Sequence, residues 1–208
     1  MSIENELKSG SRQDLKTKII AVTKTFPITE IKPLIDHGHL HYGENKVQEA
    51  LEKWSPLKKK ASNIKLHMIG KLQTNKVKLA VKLFDYIHSV DSERLAKKIS
   101  DEQLKQNKKV RIFIQVNIGN EVQKFGIDKL SVAELYSYCK TLNLDVVGLM
   151  CIPPLNESSE IFFKEMKELN KKFNFEELSM GMSSDYLSAI KNSATYVRIG
   201  SSIFGERS

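Results

Sequence analysis

The amino-acid sequence predicts an α/β protein built as a single (β/α)8 barrel, and three observations point there. Short apolar runs alternate with segments of helical periodicity along the chain, eight times over. The 208 residues divided by eight give about 26 per repeat, compact beside the ~250 residues typical of such barrels. Residues suited to chemistry follow directly on the strand candidates, where a barrel places its site. An open doubly wound sheet is the alternative, but no GxGxxG follows the first strand to support a dinucleotide site.

The elements follow in order. Residues 1–17 form a polar lead-in. The run IIAV (19–22) is a buried strand, closed by Thr23, Lys24 and Thr25 before Pro27. Thr29 then caps a helix through Ile31, Leu34 and Ile35 that Gly38 ends. HLHYG (39–43) is the second strand, and ENKVQEALEKW the second helix, with Val47, Ala50, Leu51 and Trp54 on one stripe and Pro56 as its stop. IKLHMIG (64–70) leads to a helix carrying Val77, Ala80, Val81 and Phe84. YIHSV (86–90) is followed by a helix capped by Asp91 or Ser92, with Leu95, Ile99 and Leu104 inward. VRIFIQVNI (110–118) is the most strand-like run, followed by a loop (119–127) and a helix from Ser131 bearing Leu135 and Tyr138. LDVVGLMCI (144–152) ends at Pro153 and Pro154, and a helix from Ser158 presents Ile161, Phe162, Met166 and Leu169. ELSMGM (177–182), the helix SDYLSAIKN and TYVRIG (195–200) complete the eight units, with SSIFGER as a tail.

Composition narrows the class. No apolar run approaches the ~20 residues that cross a bilayer, and the first residues lack the apolar core of a secretion signal, so a cytoplasmic protein without a membrane is expected. The net charge of +8 raises affinity for phosphate backbones in general. Its lysines, however, are spread along helices among acidic residues, with no stretch interleaving aromatics and arginine. They read as a solvated surface rather than a nucleic-acid site. Cys139 and Cys151 have neither CxxC spacing nor metal-binding neighbours and read as reduced packing residues. His37, His39 and His41 would share one face of a strand, but no carboxylate or cysteine stands at a spacing that completes a metal site; none is expected.

Lys24 is the odd residue. A strand-end lysine normally snorkels to water, and only its company suggests otherwise. In a barrel it shares the carboxyl-end rim with Gly43, Glu44, Asn45, His67, Gly70, Asn117, Met150, Cys151, Ser183, Ser184, Arg198, Gly200 and Ser201. The small residues of GMSS and IGSS, after strands 7 and 8, let backbone amides approach an anion where barrels commonly hold phosphate. A lysine opposite such a rim suits a phosphorylated aldehyde, because an amine condenses with a carbonyl to a Schiff base. At an ordinary pKa of ~10.4 about one molecule in 2500 is neutral at pH 7. Lowering the pKa to about 7 costs about 4.6 kcal/mol, which desolvation and repulsion from Arg198 would supply.

Six stretches then match in order. IIAVTKTFP, YGENKVQE, HMIGKLQTNK, GLMCIPP, LSMGMSSD and VRIGSSIFG, from residue 19 to about 206, resemble the pyridoxal 5'-phosphate (PLP) homeostasis proteins, the YggS/PROSC family. The resemblance implies a barrel like the N-terminal domain of alanine racemase, PLP as cofactor, and a role in intracellular vitamin B6 balance without catalytic turnover. It further implies that Lys24 carries PLP as a Schiff base. Arg198 would face the pyridine nitrogen and keep it unprotonated. Ser183, Gly200 and Ser201 would hold the phosphate, with Asn45 and His67 at the mouth. PLP-dependent apo-enzymes would be its partners, and the chain is read as a monomer. Asn192 departs from the family pattern, which more often has glycine there.

An amino-acid racemase or decarboxylase of the same barrel type is the alternative. Such enzymes need a second acid or base opposite the lysine, typically from an added domain, and eight residues follow Gly200 here. His67 as a general base is weighed against a hydrogen-bonded core histidine, which is the commoner role inside a strand. Met180 and Met182 read as packing.

Overall fold

The eight apolar runs form eight parallel strands, each pairing with the next in sequence and the last returning to the first. The computed structural model describes residues 17–58 and 63–205. The strands are β1 Lys18–Val22, β2 His41–Glu44, β3 Lys65–Met68, β4 Tyr86–Val90, β5 Arg111–Val116, β6 Asp145–Cys151, β7 Glu177–Met182 and β8 Tyr196–Ile199. They close as a barrel, with Ile20 opposite Arg198 at the β1–β8 seam. The helices are α1 Ile28–Asp36, α2 Val47–Lys58, α3 Val77–Leu83, α4 Glu93–Gln106, α5 Val132–Thr141, α6 Ser159–Lys172, α7 Tyr186–Lys191 and α8 Ser201–Phe204. The predicted (β/α)8 architecture is what the chain adopts, with β4 and β7 at the predicted bounds. Expectations for residues 1–16, including most of the lead-in, lie outside the described residues.

Strand alternation sorts the side chains into two cores. Outward residues such as Ala21, Tyr42, Leu66, Ile87, Ile112, Leu149 and Val197 pack under the helices with Trp54, Val81, Ile99 and Phe163. Inward residues Ile20, Tyr86, Phe113, Met150 and Tyr196 form a separate cluster inside the barrel. Each fully buried large side chain contributes about 1.5–3 kcal/mol, so both layers hold the cylinder that positions the site.

Several local expectations are corrected. Helix α1 starts at Ile28 behind Pro27, so Thr29 lies within it and gives no cap. Pro56 sits inside α2 rather than ending it; it lacks the N–H for one helical hydrogen bond, and Leu57 and Lys58 of the helix follow it. Ser92 does cap α4, accepting from the Leu95 amide at 3.3 Å, but Leu104 points to solvent, 79 % exposed. In α6 the phase of the IFF run is shifted, burying Phe163 and leaving Ile161 exposed. The histidine trio does not share a strand: His37 caps α1, His39 lies in the loop, and His41 opens β2. Asn192 needs no glycine, because its φ is −97°. Surface lysines pair within their helices, as in Lys97–Asp101 and Lys98–Glu102. Lys108 instead reaches inward to the Lys82 and Phe84 carbonyls, and burial lowers its pKa to about 8. Among the described residues no helix is long and apolar enough to cross a membrane.

Candidate functional site

Lys24 leaves β1 in a tight turn whose two flanking residues are both held. Thr23 Oγ1 donates to Glu44 Oε1 at 2.7 Å, and the same oxygen accepts from Trp54 Nε1 and Lys53 Nζ, each at 2.9 Å. Lys53 also donates to the Thr23 carbonyl at 2.7 Å and to Glu49 Oε1 at 3.1 Å. Glu49 in turn accepts the Thr25 amide at 2.6 Å. Thr25 has φ +70°, a left-handed conformation that costs a β-branched residue roughly 1–3 kcal/mol and persists only where surroundings hold it. Burial works to raise the Glu49 carboxyl, but the Thr25 amide and the Lys53 ammonium outweigh it and keep Glu49 below the usual carboxylate range. The second strand and second helix therefore aim the lysine.

Arg198 comes from β8, 5 % exposed. Its Nη1 donates to Ser179 Oγ and its Nη2 to the Cys151 carbonyl, both at 2.8 Å. Burial pulls its pKa below the ordinary arginine value, which for a guanidinium still leaves the charge in place. At the end of β7, Gly181 has φ +90°, and a Cβ there would stand 2.5 Å from Ala189 Cβ, so the turn that carries Met182 and Ser183 to the rim requires glycine. Ser183 Oγ accepts the Gly200 amide at 3.3 Å and joins the last two strand ends. Gly70 packs its backbone against Asn45; a Cβ would lie 2.5 Å from the Asn45 carbonyl.

These residues share one cavity. Lys24, Asn45, Ser183, Arg198, Gly200 and Ser201 line a space of about 800 Å³ at the carboxyl ends of the strands, with Ile152 and Met182 among its apolar walls. Asn45 Oδ1 is buried with no hydrogen-bond partner among the described residues. On the far side the Phe125 carbonyl accepts from Gln115 Nε2 at 3.1 Å, and Lys71 Nζ stands 3.7 Å from the Phe125 ring centre. The cavity thus offers two lysines and an arginine, small residues at adjacent strand ends, and an acceptor in want of a donor.

Not every candidate arrives there. His67 is fully buried inside the barrel, hydrogen-bonded to His41 and His88, and is not one of the cavity's lining residues. The alternation of β3 turns it inward below the mouth. Asn117 binds the Glu121 carbonyl within its own loop at 2.8 Å. Cys151 faces the helices, its thiol pushed up to about 12 by burial, and contributes only its carbonyl. The residues that sequence reasoning missed are Glu49, Lys53 and Trp54, which hold the Lys24 turn, and Gln115, Lys71 and Phe125, which wall the cavity. The signal for the first set was faint: Glu49 and Lys53 stand four apart and look like an ordinary surface helix pair.

Comparison with known proteins bears on the fold and the family. The family model described as "Alanine racemase, N-terminal domain" matches residues 5–208. The chain is 38 % identical over 215 residues to a pyridoxal phosphate homeostasis protein of Aquifex aeolicus, covering 99 % of this chain and 93 % of that one. It is 34 % identical over 216 residues to the protein of the same name from Haemophilus influenzae, covering 99 % and 91 %. Among solved structures, PipY of Synechococcus elongatus with PLP bound superposes with a TM-score of 0.86 at 29 % identity, covering 98 % of both chains. Alanine racemase of Clostridium difficile superposes with a TM-score of 0.74 at 16 % identity, covering 98 % of this chain and 56 % of that one, a likeness of fold.

Proposed function

The chain belongs to the family of pyridoxal phosphate homeostasis proteins, within the alanine racemase N-terminal domain fold, and from that premise we propose that its cavity binds PLP and serves intracellular PLP balance. The observation that carries the reading is the convergence of Lys24 and Arg198 on one cavity whose rim holds Ser183, Gly200 and Ser201. Bound there, PLP supplies an aldehyde open to attack by an amine and a ring that draws electrons. Lys24, aimed by its clamped turn, carries PLP as a Schiff base. Ser183, Gly200 and Ser201 present hydroxyl and amide donors to the phosphate, and Asn45 offers its unpartnered oxygen at the mouth. Arg198 can only donate, so it leaves a ring nitrogen hydrogen-bonded but unprotonated, which weakens the ring as an electron sink.

Holding without turnover is the favoured activity. Among the described lining residues, the ionisable side chains are Lys24, Lys71 and Arg198, with no carboxylate or imidazole beside them. A racemase or decarboxylase would need a second proton-transfer group opposite Lys24, and Lys71, tied over the Phe125 ring, is the residue that this second reading would have to use. The cofactor would pass to PLP-dependent apo-enzymes.

Borohydride reduction of the PLP-treated protein, followed by tryptic mass spectrometry, tests the assignment. One modified peptide is expected, labelled at Lys24; labelling at Lys71 or another lysine overturns it. Turnover of a common amino acid above about 1 s⁻¹ would favour the enzyme.

A further inference from the structure

Behind the cavity, the interior of the barrel carries a continuous file of hydrogen bonds. It begins at His41, the first residue of β2 and so at the amino-terminal mouth. His41 Nδ1 meets His67 Nε2 at 2.9 Å, His67 Nδ1 meets His88 Nε2 at 2.9 Å, and His88 Nδ1 meets Ser179 Oγ at 3.0 Å. Ser179 is the group to which Arg198 Nη1 donates. His67, His88 and Ser179 are each 0 % exposed. The barrel register makes the file: His41 pairs with Lys65, which puts His67 one inward position higher on the next strand, and His67 pairs with Tyr86, which does the same for His88.

Chemistry gives the file a direction. A guanidinium has donors and no acceptor, so Ser179 must accept from Arg198. The Ser179 hydroxyl then has one proton to give, and His88 Nδ1 is the acceptor beside it. An imidazole that accepts at Nδ1 and is neutral carries its proton on Nε2. His88 therefore donates to His67 Nδ1, and His67 to His41 Nδ1. The reversed polarity would leave the buried Ser179 hydroxyl proton without that acceptor. Nothing in the file is anionic, so it supplies no counter-charge to Arg198; the acidic group that acts on the guanidinium is Asp185, at the start of α7.

We propose that Ser179, His88, His67 and His41 are positioning residues acting through Arg198: a one-directional hydrogen-bonded relay that directs the guanidinium at the ring nitrogen and links that nitrogen to the opposite mouth. The ring-nitrogen clause rests on the proposed PLP function; the relay itself does not. The packing is consistent with neutral rings. His67 stacks on Tyr86 at 4.4 Å and His88 on Phe113 at 4.2 Å. Around His41 stand Lys18 of β1, His39 of the preceding loop, Lys65 of β3, Glu177 of β7 and Tyr196 of β8, and Lys18 is already bonded to Glu177. Arg198 faces His88 from β8. A proton added at His41 Nδ1 would confront the His67 Nε2 proton, so it breaks the first link or reverses every tautomer up to Ser179.

Nitrogen-15 NMR of histidine and arginine side chains, in protein free of cofactor, tests the relay. The neutral Nε2–H pattern is expected for His67 and His88 at pH 7. Ser179→Ala, which removes one oxygen, should move the His88 Nδ1 signal. His41→Phe should move the His88 and Arg198 side-chain signals from the other end of the barrel, and His41→Gln, which keeps an acceptor oxygen, should bring them back. An Nδ1–H or charged His88, or His88 and Arg198 signals unmoved by His41→Phe, overturns the proposal. With PLP added, both Ser179→Ala and His41→Phe should displace the pH at which the bound cofactor's visible band changes. A parent protein that binds no PLP refutes the functional reading and leaves the relay to the NMR result; a bound band with an unaltered pH profile in both variants refutes the link to the ring.

Discussion

The two sides of the cavity are built differently. On the β1–β2 side, Lys24 sits in a strained turn fixed by a buried ion-pair network in which Lys53 and Glu44 expose 8 % and 0 % of their side chains. On the β7–β8 side, the Gly200 amide donates to Ser183 Oγ at 3.3 Å and the Met182 amide to Asp185 Oδ1 at 2.7 Å, with no buried ion pair among these contacts, and the rim passes into the four-residue helix α8, with Ser184, Ser201 and Ser202 exposed. The contrast shows where the chain has invested its order. The amine must arrive at one place to react, so protein contacts fix it in advance. The anion rim needs only small residues and donors, and an arriving phosphate can organise it.

The largest break in this contrast is expected from Glu44→Gln. Three donors converge on Glu44 Oε1, and removing its charge leaves Lys53 with Glu49 as its carboxylate partner. Breaking a buried pair costs about 3–5 kcal/mol, and the remaining partner places the expected loss near the lower figure. Urea denaturation checks it. The yield of cofactor fixed to Lys24 by borohydride should fall as well, while inorganic phosphate binding at the other rim is retained. A variant as stable as its parent would mean that the clamp does not hold the turn.

Acid titration separates the clamp from the interior file. His41 is lowered to about 4, by burial first and then by Lys18, and burial holds His67 and His88 well below the usual 6.5. The folded protein keeps these rings neutral while the unfolded chain takes up protons below 6.5. Stability therefore rises with pH between about 4 and 6.5 and is lost on acidification through that window, by up to about 1.4 kcal/mol per pH unit for each ring, and less for the partly exposed His41. Glu49, depressed from 4.5, loses its contribution only below that value. Thermal melts from pH 7 to pH 4 should fall first through the histidine window, and a flat profile between 6.5 and 5 would contradict it.

The barrel and most of the rim were legible because they rest on local pattern. Eight apolar runs, a cation ending the first, and glycine and serine ending the last two need no long-range information. The clamp and the file were not legible, for one physical reason: both depend on register between strands. Glu49 and Lys53 look like a solvated helix pair until the strand order brings them under Thr23 and Thr25. His41, His67 and His88 are more than twenty residues apart at each step, and only closure of the sheet stacks them. The same limit explains why His67 was placed at the mouth. Its residue type and strand were right, but its depth is a property of the barrel. Ile161 and Leu104 were misplaced for a lesser reason, the ambiguous phase of a helix with more apolar residues than its buried face can take.

The smallest expected effect lies on the weakly held rim, and it sharpens the contrast most. Ser183→Ala removes one hydroxyl that accepts from Gly200 and would donate to phosphate. A hydrogen bond to a charged group is worth at the low end about 1.5 kcal/mol net, which is about a tenfold rise in the dissociation constant for PLP. The cofactor-free protein should melt at nearly the parent temperature, since a partly exposed serine on a sparse rim holds little of the fold. Titration calorimetry and a melt of the same sample read both quantities. A large fall in cofactor-free stability would show the rim to be as preorganised as the Lys24 turn. A loss of affinity without loss of stability would place the two sides at opposite ends of one design, the amine set by the protein and the anion site completed by its ligand.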